Sequence, residues 1–192
     1  MKKLFTALLA TALLALTGCA SYSNHELPKV GQWPLAAPAQ AKPSAQLKVE
    51  SRYLFNDQNR AGGFNQDNLE KLLVQQFKDS GRFSAVTTAK ERSDVYVSLQ
   101  VTNHERGSMA SAVVTGITFF IIPGRFKNEF TMQAQFKDAD GKVLGKVEKS
   151  ETITTWMQLL LVFALPFNES PDNVLVQLTR STLEEAARQK LI

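Results

Sequence analysis

The stretch FKNEFTMQAQFKDADGK, Phe126 to Lys142, decides the fold. Phe126, Asn128, Phe130, Met132, Ala134 and Phe136 alternate with Lys127, Glu129, Thr131, Gln133, Gln135 and Lys137. A period of two places the first set on one face of a β-strand and the charged and amide set on the other. Asp138-Ala139-Asp140-Gly141 then reverses the chain. Aspartates accept hydrogen bonds from nearby backbone in turns, and glycine takes the positive φ that a tight turn needs. Lys142 to Thr155 returns as the second strand. A hairpin with one wet face must bury its other face, and the flanking sequence supplies the cover.

Upstream, Val95, Val97, Leu99 and Val101 alternate with Tyr96, Ser98 and Gln100, which predicts a strand over Asp94 to Glu105. Phe83 to Thr87 is a short strand. Leu47, Val49, Ser51, Tyr53 and Phe55 alternate with Lys48, Glu50, Arg52 and Leu54 in another. Two segments carry the helical period instead. From Gln66 to Ser80, Leu69, Leu72, Leu73, Gln76 and Phe77 form a stripe, with Asn65 as N-cap and Gly81 as stop. From Pro171 to Lys190, Val174, Leu175, Leu178, Thr182, Leu183 and Ala186 form a second stripe. Ser170 caps that helix, Pro171 opens it, and Asp172 favours its positive end. The order strand-helix-strand-strand-strand-strand-helix predicts an α+β fold, a mostly antiparallel sheet with two helices packed on one face.

Two uncharged stretches flank the hairpin. Gly107 to Gly124 is eighteen residues without a charge, and Thr152 to Asn168 is seventeen. One enters the hairpin and the other leaves it, so they meet at the end opposite the turn. Three readings stay open: buried core, an exposed apolar lobe that meets membrane or an apolar partner, and a pair of membrane spans. Spans require about twenty mostly apolar residues. The first stretch is interrupted by Ser108, Ser111, Thr115, Gly116, Thr118 and Pro123. The candidate contact residues are Ile117, Phe119, Phe120, Ile121, Trp156, Leu159, Leu160 and Phe163. Arg125 and Lys127 follow the first stretch and suit either a solvated strand edge or anionic head groups.

Composition bounds the chemistry. The chain has 192 residues, 44% hydrophobic and 21% charged, with a net charge of +4. That fits one folded domain with a tail and excludes wholesale disorder. One cysteine makes no intramolecular disulfide and no multi-cysteine metal site. His104 and Glu105 are strand neighbours and point to opposite faces, and His25 lies in a proline-containing segment. The chain carries no G-x-S-x-G, H-E-x-x-H or phosphate-cradling glycine loop, and Asp138 with Asp140 reads as turn chemistry. The expectation is a protein with no catalytic residues, no metal and no cofactor.

The first residues read as an address. Met1-Lys2-Lys3 is basic, Leu4 to Leu16 is broken only by Thr6 and Thr11, and Leu16-Thr17-Gly18-Cys19 follows. The apolar run has the length of a signal-peptide core and is too short to span a bilayer as a helix. The tetrapeptide resembles the lipobox of bacterial lipoproteins. That resemblance implies a signal peptide over 1–18 and a Cys19 that carries lipid and becomes the first residue. Several acyl chains, at roughly 0.8 kcal/mol per buried CH₂, give stable anchoring. Ala20 and Ser21 lack the aspartate that retains such proteins at the inner membrane, so the resemblance implies the outer membrane; the periplasmic side is expected, with the outer surface left open. Losing Lys2 and Lys3 lowers the charge to +2, and with no basic cluster no nucleic-acid partner is expected.

Residues 19–46 contain Cys19 and then Pro28, Pro34, Pro38 and Pro43, and read as a tether before a single domain over 47–192. The alternative is that Val30 to Leu35 packs along the domain, because Trp33 is costly to leave wet. Within the domain, Ser80-Gly81-Arg82-Phe83 and Ser93-Asp94-Val95-Tyr96-Val97 resemble a pattern in small envelope lipoproteins, including transport-associated auxiliary lipoproteins and the amino-terminal domain of TolB-like proteins. The resemblance covers about Leu69 to Val101. It implies an α/β domain used in envelope assembly or transport, and no catalytic residues. The expected function is a non-enzymatic, lipid-anchored protein that supports or assembles an envelope complex through protein contacts. The alternative is binding or transfer of lipid or another apolar ligand in a groove lined by the two uncharged stretches.

Overall fold

The computed structural model describes residues 18–38 and 41–192. One open sheet of seven strands organises them. The strands are β1 (Gly18–Ser23), β2 (Ser44–Phe55), β3 (Gln58–Arg60), β4 (Ala85–Thr87), β5 (Val95–Gly107), β6 (Gly124–Asp138) and β7 (Val143–Gln158). The helices are α1 (Gln66–Asp79), α2 (Met109–Ile117) and α3 (Pro171–Arg188), with a 3-10 segment at Leu159–Phe167. The sheet order is β1-β7-β6-β5-β2-β3, with β4 also on β2. Its pairs are antiparallel except β2 with β5 and β2 with β4. The parallel pairs arise because the chain crosses from β2 to β5 through α1, which covers the sheet on the way.

The fold is therefore mixed α/β with a mostly antiparallel sheet. The β6–β7 hairpin forms about the expected turn, pairing from Phe126 opposite Thr155 to Phe136 opposite Gly145, with a bulge beside the turn. Asp138 closes the turn: its Oδ1 accepts from the amides of Asp140 (3.0 Å) and Lys142 (2.9 Å). Helices α1 and α3 supply Leu69, Leu73, Phe77, Val174, Leu175, Leu178 and Leu183 to the core. The sheet answers with Leu47, Val97, Leu99, Val101, Phe130, Met132, Phe136 and Ile153. The opposite sheet face carries Lys48, Gln100, Gln133 and Glu148, and no described helix lies over it.

Four elements depart from the sequence-based expectation. Strands β1 and β3, helix α2 and the 3-10 segment are additional, so the described residues hold three α-helices rather than two. The largest change is at residues 19–46. The signal segment falls, but for Gly18, outside the described residues, whereas 18–23 are a sheet strand and 24–38 are a strap rather than a free tether. Leu27 N donates to Glu151 Oε2 (3.0 Å), Leu35 N to Ser80 O (3.0 Å), and Arg82 to Ala36 O (2.8 Å). Leu27, Trp33 and Leu35 pack against the core, and the Arg180 guanidinium stands 4.9 Å from the Trp33 ring centroid. A proline-containing chain has free amides and carbonyls, and here the domain takes several of them. The folded unit therefore includes residues that composition assigns to a linker.

Candidate functional site

The two uncharged stretches meet at the open end of the hairpin. Ser108 caps α2 by accepting from Ser111 N (3.1 Å). The helix then turns its apolar side outward. Met109, Val113 and Ile117, at spacings of four, are all exposed, and Thr115 is the buried contact. Thr115 reaches the sheet at Gly124, where a Cβ would stand 2.8 Å from its Oγ1. Glycine thus lets α2 approach β6 closely.

After α2 the chain doubles back in a tight knot. Thr118 Oγ1 donates to Val114 O (2.8 Å), and Phe120 N to Thr115 O (2.8 Å). Phe119 and Phe120 hold φ of 50° and 61°. Left-handed backbone costs a residue with a Cβ roughly 1–2 kcal/mol, so these two phenylalanines are held there by the surrounding bonds. The second stretch joins the first directly: Leu159 N donates to Phe120 O (3.0 Å). The 3-10 segment follows.

The structure brings the sequence-designated residues into one lobe and leaves most of them wet. Ile117 is 70% exposed, Phe119 67%, Ile121 67%, Leu160 68% and Phe163 77%. Phe120, Trp156 and Leu159 are half-buried. Phe167, absent from the sequence-based set, is 86% exposed. The buried-core reading does not hold for the exposed five. Nor does any described helix have the length and apolarity to cross a membrane.

Cys19 stands beside this lobe. It pairs with Met157, two residues before Leu159, and Met157 also faces Gly124. Asn168 closes the outer edge of β1: its Nδ2 donates to Cys19 O (2.8 Å) and its Oδ1 accepts from Ser21 N (2.9 Å). Glu169 N adds a bond to Ser21 O (2.8 Å). One asparagine side chain here satisfies a donor and an acceptor of an edge strand, which otherwise invites pairing with other chains. Across the sheet, on the face without helices, Trp156 lies under the Arg125 guanidinium at 5.7 Å and donates from Nε1 to Tyr22 Oη at 3.4 Å. Lys127 and Arg106 are exposed on the same face.

Elsewhere, His104 and Glu105 do point to opposite faces. His104 Nε2 lies 3.1 Å from Asp57 Oδ1 and Nδ1 lies 3.0 Å from the Arg106 guanidinium. Glu105 accepts from Tyr53 Oη (2.9 Å), which with burial pushes the phenol above its ordinary value, burial being the larger cause. No cluster of three His, Cys, Asp or Glu able to hold a metal occurs among the described residues. Cavities of about 470, 460 and 580 Å³ lie on the open sheet face, beside β2 and beside Arg82, and neither uncharged stretch lines any of them.

Sequence reasoning missed three residues that build the site. Asn168 and Gly124 closed their uncharged stretches without a role, although each type is a known specialist at edges and close approaches. Glu151, fully buried, has its carboxylate on Leu27 N and Thr152 N and fixes the strap. Its position on the core face of β7 was the available signal.

No family model and no curated protein matches the chain. Among solved structures, the PelC dodecamer from Paraburkholderia phytofirmans is similar at a TM-score of 0.36 and 7% identity, over 86% of this chain and 94% of that one. A single-residue variant of it gives 0.34 and 8%, over 87% and 95%. Likeness this remote carries no argument about fold or function.

Proposed function

We propose that this protein is a lipid-anchored component of the bacterial outer membrane that does no catalysis and supports or assembles an envelope complex through protein contacts. One observation carries the reading: Cys19 of the lipobox belongs to a strand of the sheet, pinned by Asn168 and paired to β7. An anchor on a flexible tether delivers a freely rotating domain. An anchor inside the sheet delivers a domain with a fixed attitude, which suits a part that must present one surface to others. The open sheet face supplies such a surface, with a shallow trough lined by Lys48, Glu50, Gln100, Gln133, Lys146 and Glu148. Amides and paired charges of both signs suit a protein partner more than a lipid.

The alternative, an apolar-ligand carrier, needs a concave site lined by the uncharged stretches. Most of their large side chains are exposed and none of the three cavities described is lined by them, which supports the first reading.

The test has two arms in cells. Radiolabelled palmitate should enter the wild-type chain and not Cys19→Ala, and the variant should leave the membrane fraction. A photoreactive residue at Gln100 or Gln133 should give one discrete protein adduct. No label defeats the anchor, and label without an adduct defeats the contact reading.

A further inference from the structure

We infer that the apolar lobe built from α2, Thr118–Pro123 and the 3-10 segment sits in the interfacial layer of the same bilayer that holds Cys19. The inference rests on the lipid-anchor reading. Cleavage before Cys19 would leave it as the first residue of β1, opposite Met157, with Leu159 two residues further along β7. No spacer separates the anchor from the lobe. Acyl chains on Cys19 therefore enter the membrane within reach of Ile117, Phe119, Leu160 and Phe163. A protein covering those side chains would have to fit between the domain and the lipid that holds it.

The chemistry around the lobe agrees. The inserted portion is uncharged over both stretches, so nothing charged must be dehydrated. Its exposed side chains come from three separate segments, a spread that a fluid surface accommodates without a matching groove. Just behind it, Trp156, Tyr22 and Arg125 form a contact set, with Arg106 and Lys127 close by in the register. Tryptophan, tyrosine and basic residues are the types that favour the head-group level and anionic lipid. The left-handed phenylalanines fit too, since the strained turn holds Phe119 outward. Burial of these exposed apolar side chains favours insertion of the lobe by itself, and the local concentration set by the anchor adds to it.

Insertion fixes the attitude of the sheet. The fifteen residues of β6 span up to about 45 Å from Gly124 to Asp138. The Asp138–Gly141 turn thus points away from the membrane, and the open sheet face stands clear of it for partners.

The test uses the mature chain with Cys19→Ser, which removes lipid and frees the cysteine count for labelling. An environment-sensitive dye is placed on Ile117→Cys, Phe163→Cys or Asp140→Cys, and vesicles of phosphatidylethanolamine and phosphatidylglycerol are added, with and without brominated acyl chains. The first two positions should blue-shift and be quenched by bromine, and the third should not change. Circular dichroism confirms that each variant is folded. In unlabelled protein, Phe163→Asp should weaken vesicle partition by roughly tenfold or more, the scale of losing one large buried side chain. Absence of quenching at the lobe positions overturns the inference, and so does quenching at the turn position. Neither outcome depends on lipidation, which palmitate labelling of the wild-type chain reads separately.

Discussion

The β6–β7 hairpin has two ends that treat the same residue types in opposite ways. At the turn end, Asp138 gathers the amides of Asp140 and Lys142, charges ride outside, and Phe136 is buried. Past the open end the two stretches carry no charge, and Phe119, Phe163 and Phe167 are among the most exposed large hydrophobic residues described. Hydrophobicity alone does not separate them. What separates them is cover: α1 and α3 lie over the sheet around Phe130 to Phe136, whereas past Gly124 α2 buries a single side chain, Thr115, against the sheet. A side chain is core where a second layer exists to receive it. Beyond that layer the same chemistry becomes exposed apolar surface.

The strongest way to break this comparison is to truncate one phenylalanine at each end. Phe136→Ala removes a ring with no exposure and should cost about 3–5 kcal/mol in urea unfolding. Phe163→Ala removes a ring that is mostly solvent-exposed in the free domain and should stay within about 0.5 kcal/mol of wild type. Comparable losses at the two sites would mean that the lobe is part of the core.

The two glycines at the hairpin's ends sharpen it next. Gly124 is required for space: an alanine there meets Thr115 Oγ1 at 2.8 Å and should cost about 1–3 kcal/mol by overpacking. Adding Thr115→Ala should recover part of that loss, because the atom in the way is gone. Gly141 is required for its φ of 83° and has nothing near its missing Cβ. Gly141→Ala should cost about 1 kcal/mol, and Thr115→Ala should do nothing for it. A double-mutant cycle on stability reads both couplings.

The contrast also explains what the sequence made legible. Alternation marked β2, β5 and β6 because each strand has one wet face, the turn after β6 implied β7, and the 3.6-residue stripes marked α1 and α3 because each packs on one side only. The meeting of the two uncharged stretches followed from the hairpin alone. Whether they were core or lobe did not, because Ile117 and Phe163 have the same side chains in either setting and exposure depends on where α1 and α3 end. β1 was hidden for a related reason: Cys19 to Ser23 shows no alternation of its own, and its pairing comes from β7 and from Asn168, distant in sequence. Composition marked the prolines near Trp33 as linker but could not show that Glu151 and Arg82 bind that chain down.

The smallest effect belongs to acid, and it should act on one end only. Asp94 sits at the turn end, just before β5, where its Oδ2 accepts from the backbone N (2.8 Å) and the Oγ (2.7 Å) of Ser44 at the start of β2. The backbone bond first, then the hydroxyl bond, holds its carboxyl below the ordinary aspartate value. A depressed folded pKa means that the bonded carboxylate favours the fold fully above its unfolded value. The contribution then fades as pH falls through the folded one. The parallel β2–β5 pair should therefore loosen at Ser44 in acid, while α2 and the 3-10 segment, which hold no titratable side chain, should not respond. Amide exchange at Ser44 followed from neutral pH downward should show protection falling below the usual aspartate range, with amides of α2 tracking only the intrinsic pH dependence of exchange. In Asp94→Asn the side-chain oxygen still accepts but no longer titrates, so Ser44 should start less protected and lose its extra acid sensitivity. Equal acid sensitivity at both ends would show that protonation unfolds the domain as a whole and that the two ends are not independent.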